Sequence, residues 1–131
     1  MKTLLIITAG VEAGAGLLLG VAPSQVALIL LNSPLDSPPG LILGRLLGAA
    51  IFALGMACWI ARDDAQGRTA TGLIAAMLLY NIAAVSLLSY ARIGFGMSGF
   101  GLLPGVILHL TLLVWCVTCL RLAHRNGRDM T

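Results

Sequence analysis

Four residues of this chain carry polar groups inside otherwise apolar sequence: Glu12, Arg45, Asn81 and His109. Glu12 lies in the run Ala9-Gly-Val-Glu-Ala-Gly-Ala-Gly-Leu-Leu-Leu-Gly20 and is the only glutamate present. A carboxyl, a guanidinium, an amide and an imidazole can hold a polar head group, carry a proton or pair with one another. A second arrangement with chemical potential is Cys116-Val-Thr-Cys119, whose C-x-x-C spacing suits thiol–disulfide exchange. Each of the four polar residues belongs to a different apolar segment, so their chemistry depends on how those segments are placed.

The segments read as membrane spans. Of 131 residues, 59% are hydrophobic and only 10% are charged, and the mean hydropathy is +0.99. A soluble domain carries roughly a quarter charged residues, so the deficit of charge defines an integral membrane protein. Four runs are long enough to cross ~30 Å of hydrocarbon at ~20 residues each: residues 3–21, 40–61, 69–90 and 102–122. The fold class expected is all-α, an up-down four-helix membrane bundle forming one domain over residues 1–131. Pro23 ends the first run. Ser24 to Leu31 is too short to span again and reads as a short helix at the interface or over the bundle end. Asn32 to Gly40, with three prolines, reads as a loop. Lys2 followed by Leu4 to Gly10 and the small-residue step Val11-Glu12-Ala13 imitates a signal peptide. At 13 residues it is shorter than the usual ~15–30 and the apolar run continues past it, so a retained span is expected.

Lys and Arg set the expected orientation. Lys2, Arg62, Arg68, Arg121, Arg125 and Arg128 fall on one side, against Arg92 and Arg45 on the other. Six against two places both termini in the cytoplasm of a bacterial inner membrane. Trp59, Trp115 and Tyr90 fall near span ends, where aromatic belts form. The basic tail Arg121-Leu-Ala-His-Arg-Asn-Gly-Arg128 suits anionic lipid. The net charge of +3 is the sum of such clusters, and 5% aromatics is too few for base stacking, so no nucleic acid is expected.

By depth, Glu12 falls near the midplane, while Arg45, Asn81 and His109 lie between the midplane and the outer face. A charge at the centre of a lone helix costs ~2.5–3.5 kcal/mol on insertion scales, and such groups face the bundle interior and pair. Arg45 is the one basic side chain within a span, so a Glu12–Arg45 ion pair is expected, with Asn81 and His109 as hydrogen-bond partners. The inert reading of that pair is a device fixing helix register; the functional reading is the floor of a binding site. His109 by itself reads as a hydrogen-bonded core histidine, since His124 lies at the opposite side and no bis-His metal or haem site forms. No metal and no resident cofactor are expected, although a lipid or quinone would suit the polar cluster.

Thr8, Glu12, Gly16 and Gly20 form one helical stripe, and Arg45, Gly48, Phe52 and Gly55 another. Gly44 and Gly48 repeat the four-residue spacing of Gly16 and Gly20. Such small residues let helix backbones approach closely in lipid. Glu12, then Gly16-Leu-Leu-Leu-Gly20 running to Pro23, then Gly44-Arg45-Leu-Leu-Gly48 with Gly55 resembles the small bacterial four-helix membrane proteins related to the DoxX group. That resemblance implies an accessory or assembly partner of a membrane complex, or an electron-transfer helper, and brings no catalytic residues with it.

The remaining motifs carry less. Cys116 and Cys119 evoke quinone-linked disulfide chemistry of the vitamin K epoxide reductase type. They lie toward the C-terminal end of their helix, where the dipole disfavours a thiolate, and on the reducing side, with no loop cysteines as relay. Together with Cys58 they read as packing residues. The loop Ile93-Gly-Phe-Gly-Met-Ser-Gly-Phe-Gly101 lacks the strand that a dinucleotide fingerprint needs and reads as a flexible loop dipping two phenylalanines into the interface. The function expected first is a non-catalytic subunit that packs its glycine faces against another membrane protein or its own copies. The alternative is a binder or enzyme for a lipophilic molecule at Glu12, Arg45, Asn81 and His109. Thiol redox chemistry and proton-coupled transport rank lower, the latter because four short helices leave little room for a pore.

Overall fold

A computed structural model describes residues 1–128, with side chains as far as Arg125. Five α-helices follow one another: α1 (Lys2–Val21), α2 (Pro23–Leu31), α3 (Pro38–Ala61), α4 (Arg68–Gly94) and α5 (Leu102–Arg128), with a single 3-10 turn, Arg62–Asp64, between α3 and α4. Four of them, α1, α3, α4 and α5, are long and apolar enough to cross a membrane. Large apolar side chains cover the outside: Leu18, Ile60, Leu79 and Leu87 are all more than 60% exposed. A surface of this kind is stable against hydrocarbon and not against water. The chain is an all-helical integral membrane protein.

The helix ends have local causes. The chain turns sharply at Ala22, and Pro23 takes the first position of α2, where a missing N–H costs nothing. Asn32 ends α2 in the left-handed conformation (φ 55°), its N–H donating to Leu28 O at 2.9 Å. The Ser37 hydroxyl caps α3 by accepting from Gly40 N at 3.2 Å. Pro38 and Pro39 therefore open the helix rather than extend the loop, which narrows the expected Asn32–Gly40 break to Asn32–Ser37. At the other ends α4 and α5 run past the expected limits of residues 90 and 122 to Gly94 and Arg128. Hydropathy marks where hydrocarbon ends; backbone hydrogen bonding carries the helix on into the head-group layer.

The chain runs up, down, up, down. α1 packs along α3 and α4 along α5, and these two antiparallel hairpins meet to close the bundle. The α1–α3 seam is the tightest because its glycines bring backbones together. A methyl built on Gly48 would lie 2.5 Å from Gly20 N and 2.7 Å from Gly16 O, and one on Gly55 would lie 2.6 Å from Ala13 N. Gly44 serves a different contact: its methyl would meet Pro23 Cβ at 2.8 Å, so it admits the start of α2. Gly20 offers its backbone to Gly48, while a methyl on Gly20 itself would meet nothing within 4 Å.

The two halves of the bundle are filled differently. Toward the termini, Leu4, Leu5, Ile74, Met77, Leu112 and the three cysteines form a close-packed core. Lys2 and Arg62 both bridge to Asp63 there, at 3.4 and 3.3 Å, tying the start of α1 to the α3–α4 connection. Arg62 also stacks on the Trp59 ring at 3.8 Å and donates to the Trp59 carbonyl. At the far end, α2 packs on α1, α3 and α5. Gly99 lies against the Ile29 and Leu30 backbone, and Gly101 N–H donates to Ile29 O at 3.0 Å. The glycine-rich loop is thus docked on α2 rather than free, with Phe95 and Phe100 at 65% and 81% exposure. Glycine is required there because a side chain at position 99 would overlap the α2 backbone.

Candidate functional site

Between the two halves lies a polar layer. Thr8, Glu12 and Asn81 are the buried polar residues among those described, each no more than 2% exposed. Asn81, on α4, donates from Nδ2 to Met77 O one turn back, at 2.7 Å. Its Oδ1 meets Nδ1 of His109 on α5 at 2.8 Å. This bond crosses the α4–α5 hairpin and spends both ends of the amide inside the protein. The Tyr80 ring stands edge-on to the His109 ring, with centroids 5.6 Å apart and planes at 79°.

Tyr80 also completes the connection to α1. Its hydroxyl lies near the Glu12 carboxyl in the bundle interior. One oxygen of that carboxyl, Oε1, is buried with no hydrogen-bond partner. That contrasts with the hydroxyls of Thr71, Ser86, Thr111 and Thr118, which all donate back to backbone carbonyls three or four residues earlier. Glu12, Tyr80, His109 and Asn81 form a run of polar groups from α1 through α4 to α5.

Arg45 does not belong to it. The expected Glu12–Arg45 pair is absent: Arg45 is exposed, and the ion pairs among the described residues are those at Asp63. The reason is axial register. Gly55 lies against Ala13, so the level of Glu12 on α3 is near residue 55. Arg45 is ten residues further toward the far end, about 15 Å along the helix at ~1.5 Å per residue. It lines a shallow groove beside Gly16, Gly20 and Phe52 on the outer side of the α1–α3 seam. There its guanidinium can reach head groups by snorkelling. Asn81 and His109 do come together; Glu12 reaches them only through Tyr80, a residue that sequence reasoning passed over. Its signal was available, since a tyrosine at mid-span beside an asparagine must find a partner for its hydroxyl.

A cleft of about 340 Å³ opens on the far-end side of this layer. All five helices line it, from Leu19 of α1 and Leu30 of α2 to Leu47, Ala84 and Leu87, and its polar side chains are Tyr80 and His109. Leu47 and Leu87 at its edge are 52% and 67% exposed, so it opens sideways between α3 and α4 toward lipid. A groove of about 400 Å³ over the α1–α3 seam, by contrast, is lined by Ile6, Gly10, Ala13, Met56 and Trp59 among others and has no titratable side chain. Two properties mark small-molecule sites, concavity and a few convergent polar groups, and the cleft has both.

The three cysteines are free and buried in the core of the terminal half, off the cleft lining. Among the described residues no group of three His, Cys, Asp or Glu side chains could hold a metal ion. No family model matches this chain, and neither a curated protein nor a solved structure matches it. Fold and site together define an all-helical membrane protein with four helices long and apolar enough to span, a buried polar layer and a lateral apolar cleft beside it.

Proposed function

We propose that this protein binds a lipophilic small molecule inside the membrane, with the ligand's apolar body in the lateral cleft and its polar end at His109 and Tyr80. The observation that carries this reading is the cleft itself: five helices converge on an otherwise aliphatic space whose two polar side chains are backed by buried Asn81 and Glu12. Its volume of about 340 Å³ lies at the lower end of ligand sites, which run ~300–1,000 Å³. Long-chain lipids and isoprenoids, quinones among them, have the required shape. The distribution of Lys and Arg orients the protein with both termini in the cytoplasm and the cleft in the outer leaflet of a bacterial inner membrane.

The test is native mass spectrometry of the protein released from mild detergent, alongside Ala84→Trp, which fills the cleft. The expected result is a retained small molecule on the wild type that Ala84→Trp loses while keeping its fold. Bare protein from repeated preparations in several detergents would end this reading.

A second reading is an accessory or assembly subunit, as the DoxX-like pattern implies. One observation favours it: methyls built on Gly10 and Gly14 of α1 would meet nothing within 4 Å, leaving a small-residue face turned to lipid. A stoichiometric protein partner in the same spectra would support it.

A further inference from the structure

The hydrogen bonds behind the cleft restrict what kind of polar end it can receive. Asn81 has an amide whose two ends are chemically opposite, and Met77 O, 2.7 Å away, can only accept. The end facing Met77 is therefore the NH2, and the carbonyl Oδ1 is the end facing His109 Nδ1 at 2.8 Å. A carbonyl oxygen also only accepts, so Nδ1 carries the hydrogen. Asn81 is 0% exposed, and no water competes for either bond. In the uncharged ring the other nitrogen, Nε2, is then left with a lone pair. It lies on the flank of the imidazole away from the buried amide, and His109 lines the cleft. The Tyr80 ring stands edge-on to the imidazole, with centroids 5.6 Å apart.

We infer that the cleft takes a lipid alcohol, an aliphatic or isoprenoid chain ending in a hydroxyl, whose O–H is accepted by His109 Nε2. The inference rests on the binding function proposed above and names the ligand class. The cleft around His109 is otherwise aliphatic apart from Tyr80, whose hydroxyl lies near the Glu12 carboxyl. A ketone, aldehyde or ether would bring an acceptor to an acceptor and leave both without a hydrogen. A hydroxyl supplies the missing hydrogen, and its chain reaches out between Leu47 and Leu87 into lipid.

Three probes of the same chain separate these cases: farnesol, farnesal and farnesyl methyl ether. Full-length protein carrying His124→Gln, so that His109 is the one histidine, is labelled with 15N-histidine and placed in nanodiscs. The free spectrum is expected to show hydrogen on Nδ1 and none on Nε2. Farnesol should shift the Nε2 resonance and bind roughly 3–10-fold more tightly than the other two, the worth of one hydrogen bond. His109→Phe should remove that difference; where this variant does not fold, the spectrum of the His124→Gln protein decides. Hydrogen on Nε2 in the free protein, or equal binding of farnesol and its methyl ether, overturns the hydroxyl assignment and leaves the cleft a binding site. If none of the three probes binds, the cleft is not a site for lipophilic molecules and both readings fall.

Discussion

Glu12 and Arg45 are the two charged residues that sequence reasoning joins and the fold separates, and the separation has a measurable consequence. With about 15 Å of helix between their levels, removing one charge does not strand the other. A double-mutant cycle of Glu12→Gln and Arg45→Leu, read by unfolding in mild detergent, should give a coupling below about 0.5 kcal/mol. A coupling above ~2 kcal/mol would require the two helices to sit in another register. Asn81 is the opposite case. Its side chain satisfies both His109 and Met77 in a fully buried place. Asn81→Leu should destabilise the protein by about 1–3 kcal/mol, since it leaves the His109 Nδ1–H unpaired. Adding His109→Leu should recover part of that loss, because the stranded donor goes with it. The exposed Lys2–Asp63 bridge, with side chains 60% and 66% accessible, lies where such pairs contribute within about 1 kcal/mol. Lys2→Ala should accordingly be close to neutral.

At the scale of elements, the α1–α3 hairpin depends on glycines that are not equivalent. Gly48 and Gly55 hold facing backbones within reach of a single missing methyl. Backbone cannot move aside as a side chain does, so Gly48→Ala and Gly55→Ala should push α1 and α3 apart and lower stability by about 1–3 kcal/mol, an overpacking cost. Gly14→Ala meets open space and should be neutral or stabilising by up to ~1 kcal/mol through helix propensity. A set of thermal unfolding curves distinguishes the two groups; equal losses at all three positions would mean that Gly14 too lies under a neighbour. Glycine spacing alone does not predict this ranking. Gly10 and Gly14, and again Gly16 and Gly20, are four residues apart along α1, yet among them a methyl would strike backbone at Gly16 alone. The difference is which way each missing side chain would point once α3 is in place.

For the whole molecule, four spans in up-down order put both termini on one face and α2 with the α4–α5 loop on the other. An impermeant maleimide applied to spheroplasts should label Ser33→Cys and Ser98→Cys but not Gln66→Cys. The reverse pattern would invert the orientation drawn from Lys and Arg. The bundle is also asymmetric in filling: close-packed toward the termini, open to lipid at the far end, with the polar layer as the boundary. For the proposed binding role, such an arrangement would give a ligand access from the bilayer without passing through water, through one leaflet.

Composition and periodicity alone determine that this chain is helical, that four of its helices are long and apolar enough to cross a membrane, and that α2 is too short to be a fifth span. Those features follow from the cost of placing charge and unpaired backbone in hydrocarbon, which depends on residue type and run length and needs no knowledge of neighbours. The similar depth of Asn81 and His109 on consecutive helices was legible too, but they were expected to serve a Glu12–Arg45 pair, and the fold joins them to each other instead. The partner of Glu12 was not legible. It depends on the axial offset and rotation of α1 against α3 and, diagonally, against α4. Those are set by close backbone contacts at Gly16, Gly48 and Gly55. Depth along each helix can be counted from the sequence, but a rotation of one residue, about 100°, decides whether a side chain faces protein or lipid. Tertiary packing turned Arg45 outward, brought Tyr80 to Glu12 and left the cleft beside His109.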